Sequence, residues 1–235
     1  MSQTVLITGA EKGLGFSLTA KFLREGFRAF AGKLADDASL IRLGNQFPEM
    51  LTIVPLDVAD ADSVRQAAAD VAGHTAALDV LINNAGVHLE NSKTDLEQLD
   101  LSDQHLQRTM EVNTFGPLRI TQQFLPLLEE GQRRLILNIS SEAGSIADCQ
   151  RQREYAYCMS KAALNMQSKI LHNYLGPRGF TVLAIHPGWM RTDMGGPGAD
   201  IHPDEAAKGI FELTMKDWGP DDPIYVNYDG SARQW

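Results

Sequence analysis

"TVLITGAEKGLGFSLTAKFLREG" (residues 4–26) passes from an apolar run, through a turn rich in glycine, into an amphipathic stretch. Residues 4–9 have the length and apolar content of a buried strand. Residues 15–26 read as a helix that stops at a glycine. Glycines at 9, 13 and 15 punctuate the junction, a departure from the usual dinucleotide spacing G-x-G-x-x-G. The physics is shared: glycines permit a tight turn and let backbone N–H groups approach a pyrophosphate at a helix N-terminus. Thr8, Gly9, Lys12, Gly13, Leu14 and Gly15 are therefore candidate cofactor-binding residues. The Gly-Lys-Ser/Thr of a P-loop does not follow.

The same alternation continues along the chain. Apolar strands are expected at 28–32, 51–58, 78–86, 133–141, 180–188 and 223–230. Helices are expected at 37–47, 60–73, about 105–129 with an interruption at Gly116-Pro117, 154–175 and 202–216. Asp60 suits a helix N-cap, and Pro203 suits a first turn. Pro55 weakens the centre of its strand. Residues 87–104 are polar and show no clear period. Repeated βα units predict a parallel sheet covered on both faces, and right-handed crossovers make it doubly wound. The fold expectation is a doubly wound α/β sheet of about seven strands, one domain over residues 1–235.

The totals narrow the function classes. A formal net charge of −9, with no basic cluster, argues against nucleic acid or an anionic membrane surface as partner. Cys149 and Cys158 are too few for a disulfide scaffold or a four-cysteine zinc site. They read as free thiols in a reducing compartment, and the start of the chain does not read as a secretion signal, so a cytoplasmic location is expected. No run approaches the roughly 18 apolar residues of a membrane span. The six histidines show no ligand spacing, so no metal is expected.

In "EYAYCMSKAALN" (154–165), Tyr157 and Lys161 stand one helical turn apart. Positions four apart lie about 40° from one another around a helix and share a face, whereas Tyr155 lies about 240° from Lys161. A free phenol titrates near 10, and a neighbouring ammonium favours the phenolate. A tuned phenol can then exchange a proton with a carbonyl or alcohol oxygen. "LILNISS" (135–141) ends in Ser140-Ser141 at the carboxyl end of a strand, where ligands bind in open α/β sheets. Side chains alternate along a strand, so only one of the two serines should face the pocket.

The chemistry at the end of the second strand bears on the cofactor. An acid there, about 20 residues past the glycine turn, holds the ribose hydroxyls of NAD. Here Lys33 stands near that place and would attract a 2′-phosphate, with Lys12 adding a second positive charge. NADP(H) is the favoured cofactor, and NAD(H) is the alternative because Asp36 and Asp37 follow closely.

"TGAEKGLG" (8–15), "NNAG" (83–86), Asn113, "NISS" (138–141), "YCMSK" (157–161) and "HPGWMRTDM" (186–194) occur in the order of the short-chain dehydrogenase/reductase superfamily. The resemblance covers nearly the whole chain and is closest to the C-factor-like and sniffer-like carbonyl reductases. It implies a Rossmann fold and roles for particular residues. Tyr157 would be the proton donor, and Lys161 would lower its pKa and hold the nicotinamide ribose. Ser141 would orient the carbonyl, with Ser140 the runner-up, and Asn113 would hold a water of the proton relay. Asp57 and Val58 would line the adenine. Asn83, Asn84, Ala85 and Gly86 would lie beside the adenosine ribose. Pro187, Gly188, Met190 and Thr192 would surround the nicotinamide. The spacing from Ser141 to Tyr157 is longer than in many members, and Lys33 stands one position before the usual NADP arginine.

The expected activity is NADP(H)-dependent reduction of an aldehyde, ketone or quinone. The alternatives are an NAD-dependent alcohol dehydrogenase of the same fold and a non-catalytic dinucleotide-binding signalling protein. The partners expected are a small carbonyl or alcohol substrate and further copies of the chain, as a homodimer or homotetramer. Residues 87–104, 142–156 and 190–203 should wall the pocket, with the last forming a lid. Met159, Leu164, Met166, Ile170 and Leu171 read as core or subunit contact, His186 and Cys158 as structural, and Trp235 as docked on the domain or on a neighbouring subunit.

Overall fold

A computed structural model describes residues 2–235. Seven parallel strands form one sheet in the order β3-β2-β1-β4-β5-β6-β7. They are β1 (Thr4–Thr8), β2 (Arg28–Lys33), β3 (Leu51–Pro55), β4 (Val80–Asn83), β5 (Leu135–Ile139), β6 (Thr181–His186) and β7 (Tyr225–Asn227). The helices are α1 (Gly13–Arg24), α2 (Ala38–Gln46), α3 (Ala61–Ala72), α4 (Gln104–Met110), α5 (Gly116–Glu129), α6 (Tyr155–Leu175) and α7 (Pro203–Met215). Strand order reverses between β1 and β4, which opens a crevice at their carboxyl ends, the usual ligand position in such sheets.

The strands are apolar on both faces because each face meets helices. Val5, Ile7, Val80, Ile82, Leu135 and Leu137 pack into the core under α1, α2 and α7. The intervening Leu6, Leu81, Ile136 and Val182 enter the opposite core under α3 and α5. Phe22, Phe27 and Phe211 meet edge-to-face, with centroids 5.0–5.9 Å apart, and tie α1 to α7. Each such pair contributes roughly 0.5–1.5 kcal/mol beyond its buried area. Asp60 caps α3 by accepting from Asp62 N at 2.8 Å and Ser63 N at 3.3 Å, and Pro203 opens α7.

Several expected strands prove shorter at one or both ends. Residues 51–58 are strand only to Pro55, which therefore ends β3 and does not interrupt it. The break expected at Gly116-Pro117 is instead a π-helical turn, Glu111–Phe115, that joins α4 to α5 without a gap. Pro117 has no N–H to offer the carbonyl of Asn113 four residues earlier, and a widened turn absorbs that loss. Among the described residues, no helix is long and apolar enough to cross a membrane.

Candidate active site

The glycine turn joins β1 to α1. Lys12, at the N-cap of α1, makes no side-chain capping bond, and the first turn of the helix holds no acid. Its N-terminal N–H groups are therefore not taken by a capping side chain, as an anion site requires. Gly13 has φ +55°, a left-handed value that few other residues tolerate. A Cβ on Gly15 would lie 2.0 Å from Gly9 O, so no larger residue fits there. Asn84 braces the turn, donating from Nδ2 to Thr8 O at 2.8 Å and to Gly9 O at 3.0 Å. Asn83 instead points into the sheet, where it donates to Asn138 Oδ1 at 2.8 Å, and so does not line the crevice. The uncapped helix start and the packed glycines fit a dinucleotide diphosphate.

Lys33 closes β2 and is ion-paired with Asp36. Lys12 is paired with Asp193 at 2.8 Å, both groups being exposed. Each lysine expected to attract a 2′-phosphate thus already has a carboxylate partner. Exposed pairs of this kind hold by about 0–1 kcal/mol, weak enough for an arriving phosphate to displace. Asp37 is occupied in capping α2 through Ser39 N at 2.7 Å. The Asp57 carboxylate is held by Arg108 at 2.9 Å and by Ala59 N at 2.9 Å. Val58 is buried.

The serines separate as strand alternation requires. Ser140 turns inward and donates to Asn165 Oδ1 at 2.6 Å. Ser141 faces the crevice beside the Tyr157 phenol, and its hydroxyl donates to Glu142 Oε2 at 2.6 Å. Tyr225 fixes the Ser141 carbonyl with a bond of 2.6 Å, and Trp235 stacks on Tyr225 with centroids 5.0 Å apart. The terminal tryptophan therefore docks on its own chain. His186 is half-buried behind this site, its Nδ1 accepting from Glu142 N at 3.1 Å. Burial pushes the His186 imidazole down to about 4.

Lys161 is buried, and its Nζ donates to Ile139 O at 2.8 Å and lies 5.8 Å from the centroid of the Tyr157 ring. Burial pushes its ammonium down to about 8. A Cβ added to Gly86 would lie 3.5 Å from Asn113 Oδ1 and 3.6 Å from Lys161 Nζ, which brings "NNAG", the π-turn and α6 together. Asn113 accepts from Val87 N and donates to Val87 O, both at 2.8 Å. The Tyr157 phenol is not acidified in this arrangement. Burial pushes it up to about 12, against a smaller downward pull from Ser141, and the nearby Glu142 carboxylate adds to the rise. Burial thus dominates the phenol in the protein without cofactor, while Lys161 Nζ lies 5.8 Å from its ring.

Thr192 lies over the glycine turn, its Cγ2 3.4 Å from a Cβ placed on Gly13. Arg191 braces residues 190–201 by donating to Ala199 O at 2.9 Å and Asp200 O at 2.8 Å. Pro187 is buried, and Gly188 and Met190 are half-buried at the start of this segment. The helix stripe splits: Leu164 is core, whereas Met159, Met166 and Ile170 are exposed.

Residues 87–104 and 142–156 were expected to wall the pocket, but four side chains within them, His88, Glu90, Glu142 and Arg151, were not singled out for a role in the site. Glu90 accepts from Ala156 N and Tyr157 N, both at 3.0 Å, and so caps α6 from a distant loop. The residue at the N-cap itself, Glu154, has φ +65° and makes no side-chain cap. Arg151 bridges Glu142 and Glu154. The Arg151 pair and the Ser141 bond overcome burial and hold the Glu142 carboxyl at about 2.

A Rossmann sheet with a glycine cradle, and Ser, Tyr, Lys and Asn side chains at one crevice, defines a nicotinamide-dependent oxidoreductase. The chain belongs to the short-chain dehydrogenase family, whose model matches residues 3–200. It is 41% identical to the C-signal of Myxococcus xanthus over 68% of this chain and 95% of that protein. It is 33% identical to 1-hydroxy-2-glutathionyl-2-methyl-3-butene dehydrogenase of Rhodococcus sp. (strain AD45), over 99% of both chains. Its fold matches NADPH-bound carbonyl reductase from chicken fatty liver, with a TM-score of 0.89, 32% identity and coverage of 100% of this chain and 99% of the other. It also matches carbonyl reductase Sniffer of D. melanogaster, with a TM-score of 0.91, 30% identity and full coverage of both. The protein is an NAD(P)-dependent dehydrogenase/reductase.

Proposed function

We propose that the protein reduces an aldehyde, ketone or quinone to an alcohol with NADP(H), and that Tyr157 is the proton donor. With the dinucleotide diphosphate held at the glycine cradle, the bound cofactor would supply the hydride for the carbonyl carbon. Tyr157 gives its hydroxyl proton to the carbonyl oxygen, so the C=O π pair becomes an O–H bond and the phenol becomes a phenolate. Ser141 orients the oxygen by a hydrogen bond once its proton turns away from Glu142. Lys161, protonated below about 8, stabilises the phenolate and passes it a replacement proton. Asn113 fixes the Val87 backbone beside this pair and holds a water of the relay. The single observation that carries this reading is the meeting of the Ser141 hydroxyl and the Tyr157 phenol at the carboxyl end of β5, with Lys161 buried alongside.

NADP(H) is supported by the two lysines near the expected phosphate position and by the NADPH-bound chicken relative. NAD(H), in an alcohol dehydrogenase, is the second reading, favoured by Asp36 and its pair with Lys33. A signalling protein that binds dinucleotide without turnover has the C-signal relative in its favour. Residues 1–235 are read as one cytoplasmic domain. The exposed Phe115, Leu118, Met159, Met166 and Ile170 support assembly as a homodimer or homotetramer. Titration with NADPH and NADH, followed by assay of aldehydes, ketones and quinones, separates the functional readings. Tighter NADPH binding with turnover supports the proposal; tighter NADH binding, or binding without turnover on any carbonyl, refutes it.

A further inference from the structure

His88 packs its ring against the proposed proton donor. Its imidazole stacks on the Tyr157 ring, with centroids 4.6 Å apart and planes 27° from parallel. The side chain is only 16% exposed, and its Nε2 is buried without a hydrogen-bond partner. An unsatisfied buried nitrogen is destabilising, so local bonding does not account for the placement. Glu154 Oε1 stands 3.5 Å from that nitrogen and Glu90 Oε1 4.0 Å, yet neither makes a hydrogen bond to it.

The backbone around His88 is held firmly. Asn113 grips the preceding residue, Val87, by both its N–H and its carbonyl at 2.8 Å. Two residues further on, Glu90 grips the backbone of Tyr157 itself at 3.0 Å. The loop 87–90 thus touches Tyr157 twice, through the backbone by Glu90 and through the ring by His88. A phenol has two side-chain torsions. Helix α6 fixes its Cα, while the broad χ2 torsion of an aromatic ring needs a packing partner to fix the ring plane.

We propose that His88 is a positioning residue for Tyr157: its ring fixes the plane of the phenol so that the hydroxyl stays directed at Ser141 and the substrate oxygen. This rests on Tyr157 being the proton donor. Flat aromatic area is what the role demands, since no hydrogen bond of the imidazole takes part. Aromatic pairs contribute about 0.5–1.5 kcal/mol, which corresponds to a several-fold change in the population of the aligned ring.

The test compares His88→Ala and His88→Phe with the wild type and with Tyr157→Phe. The aldehyde or ketone used is one that the wild type reduces, and NADPH affinity is measured alongside. His88→Ala should lower kcat roughly five- to ten-fold with NADPH affinity unchanged, and His88→Phe should restore it to within about two-fold. In parallel, the Tyr157 ring protons, assigned by their loss in Tyr157→Phe, should shift in His88→Ala and keep a stacked-ring shift in His88→Phe. Unchanged kcat in His88→Ala overturns the proposal, as does an equal loss in both His88 variants. A loss confined to KM or to NADPH binding overturns it too. If Tyr157→Phe stays active, the proton-donor assignment has failed. If the wild type reduces no carbonyl, the functional reading has failed, and absence of the stacked-ring shift in the wild type overturns the His88 proposal separately.

Discussion

The two halves of the crevice are built from different materials. The end proposed to hold the nucleotide is backbone: glycines at 13 and 15, an uncapped helix start, and an asparagine that bonds to main-chain carbonyls. Its charged groups, Lys12 and Lys33, are tied in pairs at the surface. The reaction end is side chain, with Lys161 buried and Tyr157, Glu142 and Arg151 packed close around Ser141. Backbone cradles recognise a diphosphate common to many reactions, so their residues are small and local in sequence. The reaction end must set proton affinities, which takes buried charge and remote partners.

The comparison is most severely strained by Gly15→Val. The new Cβ would fall 2.0 Å from Gly9 O, so cofactor binding measured by fluorescence titration should be lost or weakened at least a hundred-fold in folded protein. Near-normal binding would mean that the glycine turn is not the cradle. The two serines make the next test. Ser141→Ala should cut kcat/KM by about a hundred-fold, the size of one lost transition-state donor. Ser140→Ala, which removes a bond to Asn165 in the core, should mainly lower thermal stability. A larger catalytic loss at 140 would reassign the serine.

A pH profile sharpens the reaction half. The Tyr157 phenol, at about 12, stays protonated across the working range, whereas Lys161 loses its proton near 8. The kcat/KM for reduction should therefore be flat below about 8 and decline above it, with the break set by Lys161. A profile flat to pH 10 would remove the ammonium from the mechanism. The smallest effect is expected at the nucleotide end: Lys33→Ala should weaken NADPH several-fold and leave NADH unchanged. Equal losses for both cofactors would rule out contact with a 2′-phosphate.

How much was legible follows the same division. The glycine turn, the strand run 135–139 and the Tyr157–Lys161 spacing are local patterns, and the sequence exposes them directly. The separation of Ser140 from Ser141 follows from strand alternation. The π-turn at 111–115 left a trace in Gly116-Pro117, although the sequence suggested a break where the chain widens its helix. The support of Tyr157 was hidden. Glu90 caps a helix that begins more than sixty residues later, and His88 meets the phenol across a similar gap. Nothing in the polar stretch 87–104 signals those contacts, because only the folded sheet brings the loop after β4 against the start of α6. The raised phenol pKa was equally invisible, since spacing reveals the nearby amine and not the desolvation that opposes it.

The most direct measurement is single-turnover reduction of a carbonyl by Tyr157→Phe saturated with NADPH. The hydride-transfer rate should fall by three orders of magnitude or more, the upper part of the range for a lost general acid, roughly 10²–10⁴-fold. NADPH affinity should stay within a few-fold of wild type. Reduction at a rate close to wild type would show that the proton comes from elsewhere and would remove Tyr157 from the chemistry.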